Sequence, residues 1–202
     1  MRDQVLAWLV DNRSRSRLQH ILGVEQTAAL LATDRALDVE QAAAAGLMHD
    51  LAQNFTLQPL WEIAAAGWEI DRVKRSPPHP SLPQIGAILA RDRLGVQDEE
   101  ILPAIENHTF GRAGMSRIGC IMFVADSIDP GRGNCSELEE LQLVSRENLA
   151  GAVWETCNYS ITGYLMAINR LIHLRMILMR NWATQMASRN RRSAQDNNLI
   201  VA

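Results

Sequence analysis

Apolar residues recur at three- and four-residue spacing along most of the chain, and no stretch of useful length alternates apolar with polar. That rhythm belongs to helices, and aromatics, which strands favour, make up only 5% of the residues. Leu18, Ile21, Leu22, Ala28, Leu31 and Ala32 mark one face of a predicted helix from Leu18 to Thr33. Val39 to Leu51 predicts another, with Asp38 as N-cap and Gln41 completing a capping box. Leu57 to Ala66 reads as a short helix stopped by Gly67. Prolines 77, 78, 80 and 83 then forbid regular helix until a segment starting near Gln84 and ending at Gly95. Further helices are predicted over Asp98–Glu106, Met115–Ile128, Ser136 to about Ala152 and Val153 to about Ala187. Glycines place a loop at His108–Gly114, and Asp129–Asn134 reads as a turn. The expectation is an all-α fold: one helical bundle spanning residues 1–187 with long C-terminal helices.

At 202 residues the chain can bury one sizeable core. Its net charge of -3 gives no reason to expect a specific nucleic-acid partner. Residues 188–202 form a basic tail, with Arg189, Arg191 and Arg192, expected to be disordered. Cys120, Cys135 and Cys157 form no CxxC pair and are too scattered for a disulfide framework, so free thiols and a cytoplasmic location are expected. The start of the chain, with Asp3 and Asp11, does not read as a secretory leader, and no apolar run is long enough for a transmembrane segment. The most apolar helical stretch, Ile161 to about Met186, suits packed core or a surface for a second copy or a protein partner.

A small set of residues stands out against this background. His20, the pair His49-Asp50, His79, His108 and Asp126 follow one another near helix ends and turns. Imidazole and carboxylate donors together suit divalent transition metals such as Fe, Mn or Zn. A carboxylate can bridge two such ions roughly 3.5–4 Å apart, a pair that clamps phosphoryl oxygens and activates water. Asp126 lies in the apolar run Ile121-Met-Phe-Val-Ala-Asp126, a costly place for an unpaired charge. Taken singly, each of these residues could be an ordinary core histidine or a helix-end carboxylate; as an ordered set they point to a metal site.

His20, His49-Asp50 and Asp126 resemble the H…HD…D pattern of the HD phosphohydrolase superfamily. Ala45-Gly-Leu-Met-His-Asp50 is similar to the AGLLHD segment of its YqeK branch, the symmetrical dinucleoside-tetraphosphate hydrolases. Glu99-Glu-Ile-Leu-Pro-Ala-Ile105, Asn107-His-Thr-Phe-Gly111, Arg112-Ala-Gly-Met-Ser116 and Phe123-Val-Ala-Asp-Ser-Ile-Asp-Pro-Gly-Arg132 resemble successive segments of that branch. The resemblance spans residues 17–132. It implies helices around a site for one or two ions, with iron the usual metal, and cleavage of diadenosine tetraphosphate to two ADP. It further implies that His20, His49, Asp50 and Asp126 hold one ion, and that Asp50 bridges to another held partly by His108. His49 and Asp50 would be the central catalytic pair. Gln53, Thr109, Gly111 and Arg132 occupy positions that would face the nucleotide, Arg132 as a bidentate phosphate clamp.

Two positions depart from the pattern. Leu82 stands where the family carries a further ligand histidine, with His79 three residues earlier as the candidate replacement. Gln53 stands where the family usually has a lysine, so it offers hydrogen bonds but no charge. The chain therefore reads either as a working hydrolase with an altered second metal position, or as a degenerate HD domain that binds nucleotide or protein.

Overall fold

The computed structural model describes residues 1–53, 82–132, 135–167 and 171–200, apart from the side chains of 132 and 190–200. It is helical with no strand among the described residues: α1 (Arg2–Asn12), α2 (Arg15–Thr33), α3 (Val39–Met48), α4 (Leu82–Leu94), α5 (Ile101–Asn107), α6 (Arg117–Ile128), α7 (Ser136–Glu147), α8 (Leu149–Met166) and α9 (Leu174–Ile200), with a 3-10 turn at Pro130–Arg132. The helix predicted over Leu57–Ala66, and His79, lie outside the described residues.

Helix α6 is the axis of the molecule. Nine of its twelve residues are buried, so it is apolar nearly all round and must be enclosed on every side. Helices α2, α3, α5, α7 and α8 pack around it, α4 packs against α5, and α9 packs against α8. Gly46 lets α3 close onto α2, because a Cβ there would stand 2.8 Å from the Glu25 Cα. That close approach carries the end of α3 toward the middle of α2.

Side-chain caps decide where several helices begin. Asp38 accepts from the Gln41 N–H at 3.0 Å, Ser14 from Arg17 at 3.3 Å and Ser116 from Gly119 at 3.1 Å; each such cap is worth about 1 kcal/mol. The expected capping box is half formed. Gln41 reaches across to Asp98 Oδ2 at 3.0 Å, tying the start of α3 to the α4–α5 connection. The helix expected from Asp98 starts instead at Ile101, because the Asp98 carboxylate accepts from the Glu100 and Ile101 N–H groups and so caps it from outside. Helix α4 starts at Leu82 with Pro83 in its first turn, where the missing N–H costs nothing.

The C-terminal half is divided differently from the sequence expectation. Asn148 is extended, and its side-chain oxygen accepts from Gly151 N–H at 3.0 Å. It thus separates α7 from α8, four residues before the expected boundary. The single last helix expected from Val153 is two: α8 stops at Met166, and α9 begins at Leu174 and continues to Ile200. Among the described residues no helix is long and apolar enough to cross a membrane.

The three cysteines are free, as expected. Cys120 and Cys157 are buried, and burial pushes both thiols up to about 12; Cys135 is exposed. Native protein at pH 8 should therefore release one equivalent of thionitrobenzoate with Ellman's reagent, rising to three on unfolding.

Candidate metal centre

Four elements converge on one point: α2 brings His20, the turn after α3 brings His49 and Asp50, the turn after α5 brings His108, and α6 brings Asp126. His20 Nε2 is 3.3 Å from Asp126 Oδ1. His49 Nε2 is 3.4 Å from Asp50 Oδ2 and 3.8 Å from Asp126 Oδ1. One donor atom each from His20, His49 and Asp50 lies within 4.8 Å of the others. The rings stand edge to face, with His49 in the middle, 5.3 Å from His20 and 5.1 Å from His108 between centroids.

The far side of each ring settles its tautomer. His49 Nδ1 meets the Gly46 carbonyl at 2.6 Å and His108 Nδ1 meets the Ile105 carbonyl at 2.8 Å. A carbonyl only accepts, so Nδ1 carries the proton and a neutral ring turns its Nε2 lone pair inward. His20 Nδ1 meets Asp129 Oδ2 at 2.8 Å in the same sense. The buried Nε2 atoms of His20 and His49 make no hydrogen bond, although carboxylate oxygens stand close by. Neutral rings would set their lone pairs against those of the carboxylates, which a proton or a metal cation between them relieves. Donors around a cation bonded at roughly 2.1 Å stand roughly 3–4 Å apart, much as these do. The residues present fit a divalent ion bound by nitrogen and oxygen.

Charges around the centre are strongly coupled. For Asp50, burial is the largest influence and would raise its pKa; His49 first, and then Arg17, outweigh it and hold the carboxyl well below the usual range. For His49, burial again acts first and disfavours the charged ring, but Asp50, Asp126 and the Gly46 carbonyl prevail and hold its pKa above the usual value. Burial, then the neighbouring His49 charge, keeps His108 below the usual value and hence neutral.

The other predicted site residues are placed less centrally. Gln53 is half-buried, with its N–H on the Asp50 carbonyl at 3.0 Å. Thr109 is exposed. The Gly111 N–H, expected to face a nucleotide, is instead bonded to the Asn107 carbonyl at 2.9 Å. Gly111 has a φ of +66°, and Met179 of α9 stands where its Cβ would be, so the glycine serves a tight turn against α9. Leu82 is half-buried and packs against the apolar core, one helical turn before Gly86, which abuts the His49 carbonyl. His79 and the Arg132 side chain lie outside the described residues.

Three residues in the surroundings were not singled out from sequence. Arg17 Nη1 contacts Asp50 Oδ2 at 2.8 Å. Arg13 donates to the Leu51 carbonyl at the end of the His49-Asp50 turn. Asp129 holds His20. Arg17 lies three residues before His20, and Asp129 three after Asp126; that helical spacing was the available signal.

Helices that aim histidine nitrogens and aspartate oxygens at one interior point define a metal-binding helical domain of the hydrolase type. The HD-domain family model matches residues 17–131, and the chain belongs to that family. The symmetrical bis(5'-nucleosyl)-tetraphosphatase of Bacillus subtilis is 30% identical over 188 residues, covering 90% of this chain and 96% of that protein. The protein of the same name from Halalkalibacterium halodurans is 29% identical, covering 85% and 91%. A crystal structure of a predicted HD-superfamily hydrolase involved in NAD metabolism, from Clostridium acetobutylicum, superposes with a TM-score of 0.82 at 31% identity, over 92% of this chain and 98% of that one.

Cation binding must displace the proton that the raised pKa keeps on His49. Mn2+ affinity measured by calorimetry should rise about tenfold per pH unit while the pH is below that pKa, then level off above it.

Proposed function

We propose that the chain is a divalent-metal-dependent phosphohydrolase that cleaves dinucleoside tetraphosphates symmetrically, diadenosine tetraphosphate giving two ADP. The observation that carries this reading is the pair of buried, unbonded Nε2 atoms of His20 and His49 facing the carboxylates of Asp50 and Asp126. Relatives named for this activity, matching over most of both chains, support the choice of substrate.

His20, His49, Asp50 and Asp126 would hold the principal ion, and Asp50 with His108 would face a second; iron is the favoured metal, with Mn or Zn as alternatives. A bound ion supplies Lewis acidity toward phosphoryl oxygens and makes water a competent nucleophile near neutral pH. The residues contribute orientation. His49 and Asp50 are fixed by the Gly46 carbonyl and by Arg13 and Arg17. Arg17, with its side chain one-third exposed (32%), lies beside Asp50 and lines an open groove of about 810 Å3 along α2. It supplies positive charge for a polyphosphate where Gln53 does not, and its planar donors suit phosphate. Thr109 and Arg132 would act on the nucleotide from the flanking loops. Hydrolysis at an inner phosphorus adds water across one P–O bond and leaves a diphosphate on each nucleoside.

A second reading has its own observation. Leu82, half-buried against the core, offers no ligand, so a domain with one ion and no turnover would act by binding. Exposed Leu165, Met166, Leu171 and Leu174 around the α8–α9 connection would then suit a second copy or a protein partner. The buried free thiols favour a cytoplasmic location in either case.

Metal content and diadenosine-tetraphosphate hydrolysis, measured on one sample prepared without chelator, separate the readings. Two ions per chain with ADP as sole product is the expected result; no turnover after iron or manganese is supplied would overturn the hydrolase. Asp50→Ala should abolish metal binding, and unchanged metal content would refute the ligand set. Arg17→Ala should raise KM about tenfold or more for the tetraphosphate. Leu82→His should raise activity if the missing ligand is the main departure.

A further inference from the structure

We propose that Asp129 is a positioning residue for the metal centre, that it sets the orientation and tautomer of His20, and that Gly23 and Gly131 exist to admit it. The inference rests on the metal-site reading above and adds residues that touch no ligand themselves.

Asp129 is 1% exposed, directly after α6. Its Oδ2 lies 2.8 Å from His20 Nδ1, so the imidazole is held from behind while its Nε2 points at Asp126. The other two rings of the centre lean on main-chain carbonyls; His20 leans on a carboxylate. A carboxylate behind a ligand histidine fixes the ring and increases the electron density at the opposite nitrogen. The carboxyl group sits in a gap that two glycines leave open. A Cβ at Gly23 would come 2.1 Å from Asp129 Oδ1, and a Cβ at Gly131 would come 2.7 Å from Oδ2. Gly23 lies in the middle of α2, where alanine would be the better helix former. Its value is therefore clearance for Asp129, one turn from His20 on the same helix.

The test uses the full chain and Mn2+ as probe. Wild type, Asp129→Asn and Gly23→Ala are titrated calorimetrically, and His20 is followed in long-range proton–nitrogen spectra of the metal-free protein. Both variants should bind Mn2+ roughly 10–100-fold more weakly. Their combination should be little worse than either alone, because both act on one contact. The His20 signals should show the Nδ1–H tautomer in wild type and lose that preference in Gly23→Ala, which displaces the carboxylate; in Asp129→Asn an amide oxygen still accepts and only the charge behind the ring is lost. Wild-type affinity in Asp129→Asn, or His20 signals unmoved in Gly23→Ala, would overturn the proposal while leaving the hydrolase reading intact. A wild-type chain that binds no Mn2+ would overturn both. If Asp129→Asn does not fold, Gly23→Ala, which removes no polar group, decides alone.

Discussion

Everything near the centre follows from one costly arrangement: imidazole nitrogens and carboxylate oxygens gathered in the interior, which only a proton or a metal cation between them can reconcile. Isolated, such groups would separate or protonate. They stay together because each is fixed from behind, His49 by the Gly46 carbonyl, His20 by Asp129, and Asp50 by Arg17. The helices supply the rigidity. Apolar α6 is clamped on all sides, and α3 is drawn onto α2 at Gly46, so the histidines have little freedom to swing apart. The stability of the apolar core thus maintains a cluster in which a proton on His49 holds the place a metal cation would take.

The HD dipeptide sits where a helix gives way to turns. Helix α3 ends at Met48, and His49, still with helical φ and ψ of -57° and -35°, leads into tight turns in which Leu51 N–H bonds the Met48 carbonyl and Gln53 N–H the Asp50 carbonyl. Arg13, by occupying the Leu51 carbonyl, stabilises this break.

The sequence was most informative where structure depends on neighbours along the chain. Helices α2, α3 and α6 and the cap Asp38 rest on local spacing and local hydrogen bonds, and the face of α2 could be read from apolar rhythm alone. The gathering of His20, His49, Asp50, His108 and Asp126 was legible only as an ordered set matching a known family. Long-range partners were hidden. Gln41 satisfies the local capping-box pattern but bonds Asp98, 57 residues away. Asp129 reads as an ordinary turn residue until α2 is laid against it, 109 residues from its partner in sequence. The Asn148 boundary was missed because apolar periodicity runs across it, and one side-chain oxygen outweighs that rhythm.

Helix α9 braces the loop that presents His108. Arg175 donates to Asn107, His173 stacks on Phe110 at 4.7 Å, and Met179 fills the space over Gly111. These contacts join residues some 68 positions apart. On the ribosome, His20, His49 and His108 all emerge well before the segment that steadies the last of them. The His108 loop therefore gains its outer support only once α9 has been made and folded back over it, later in synthesis than every residue of the candidate site.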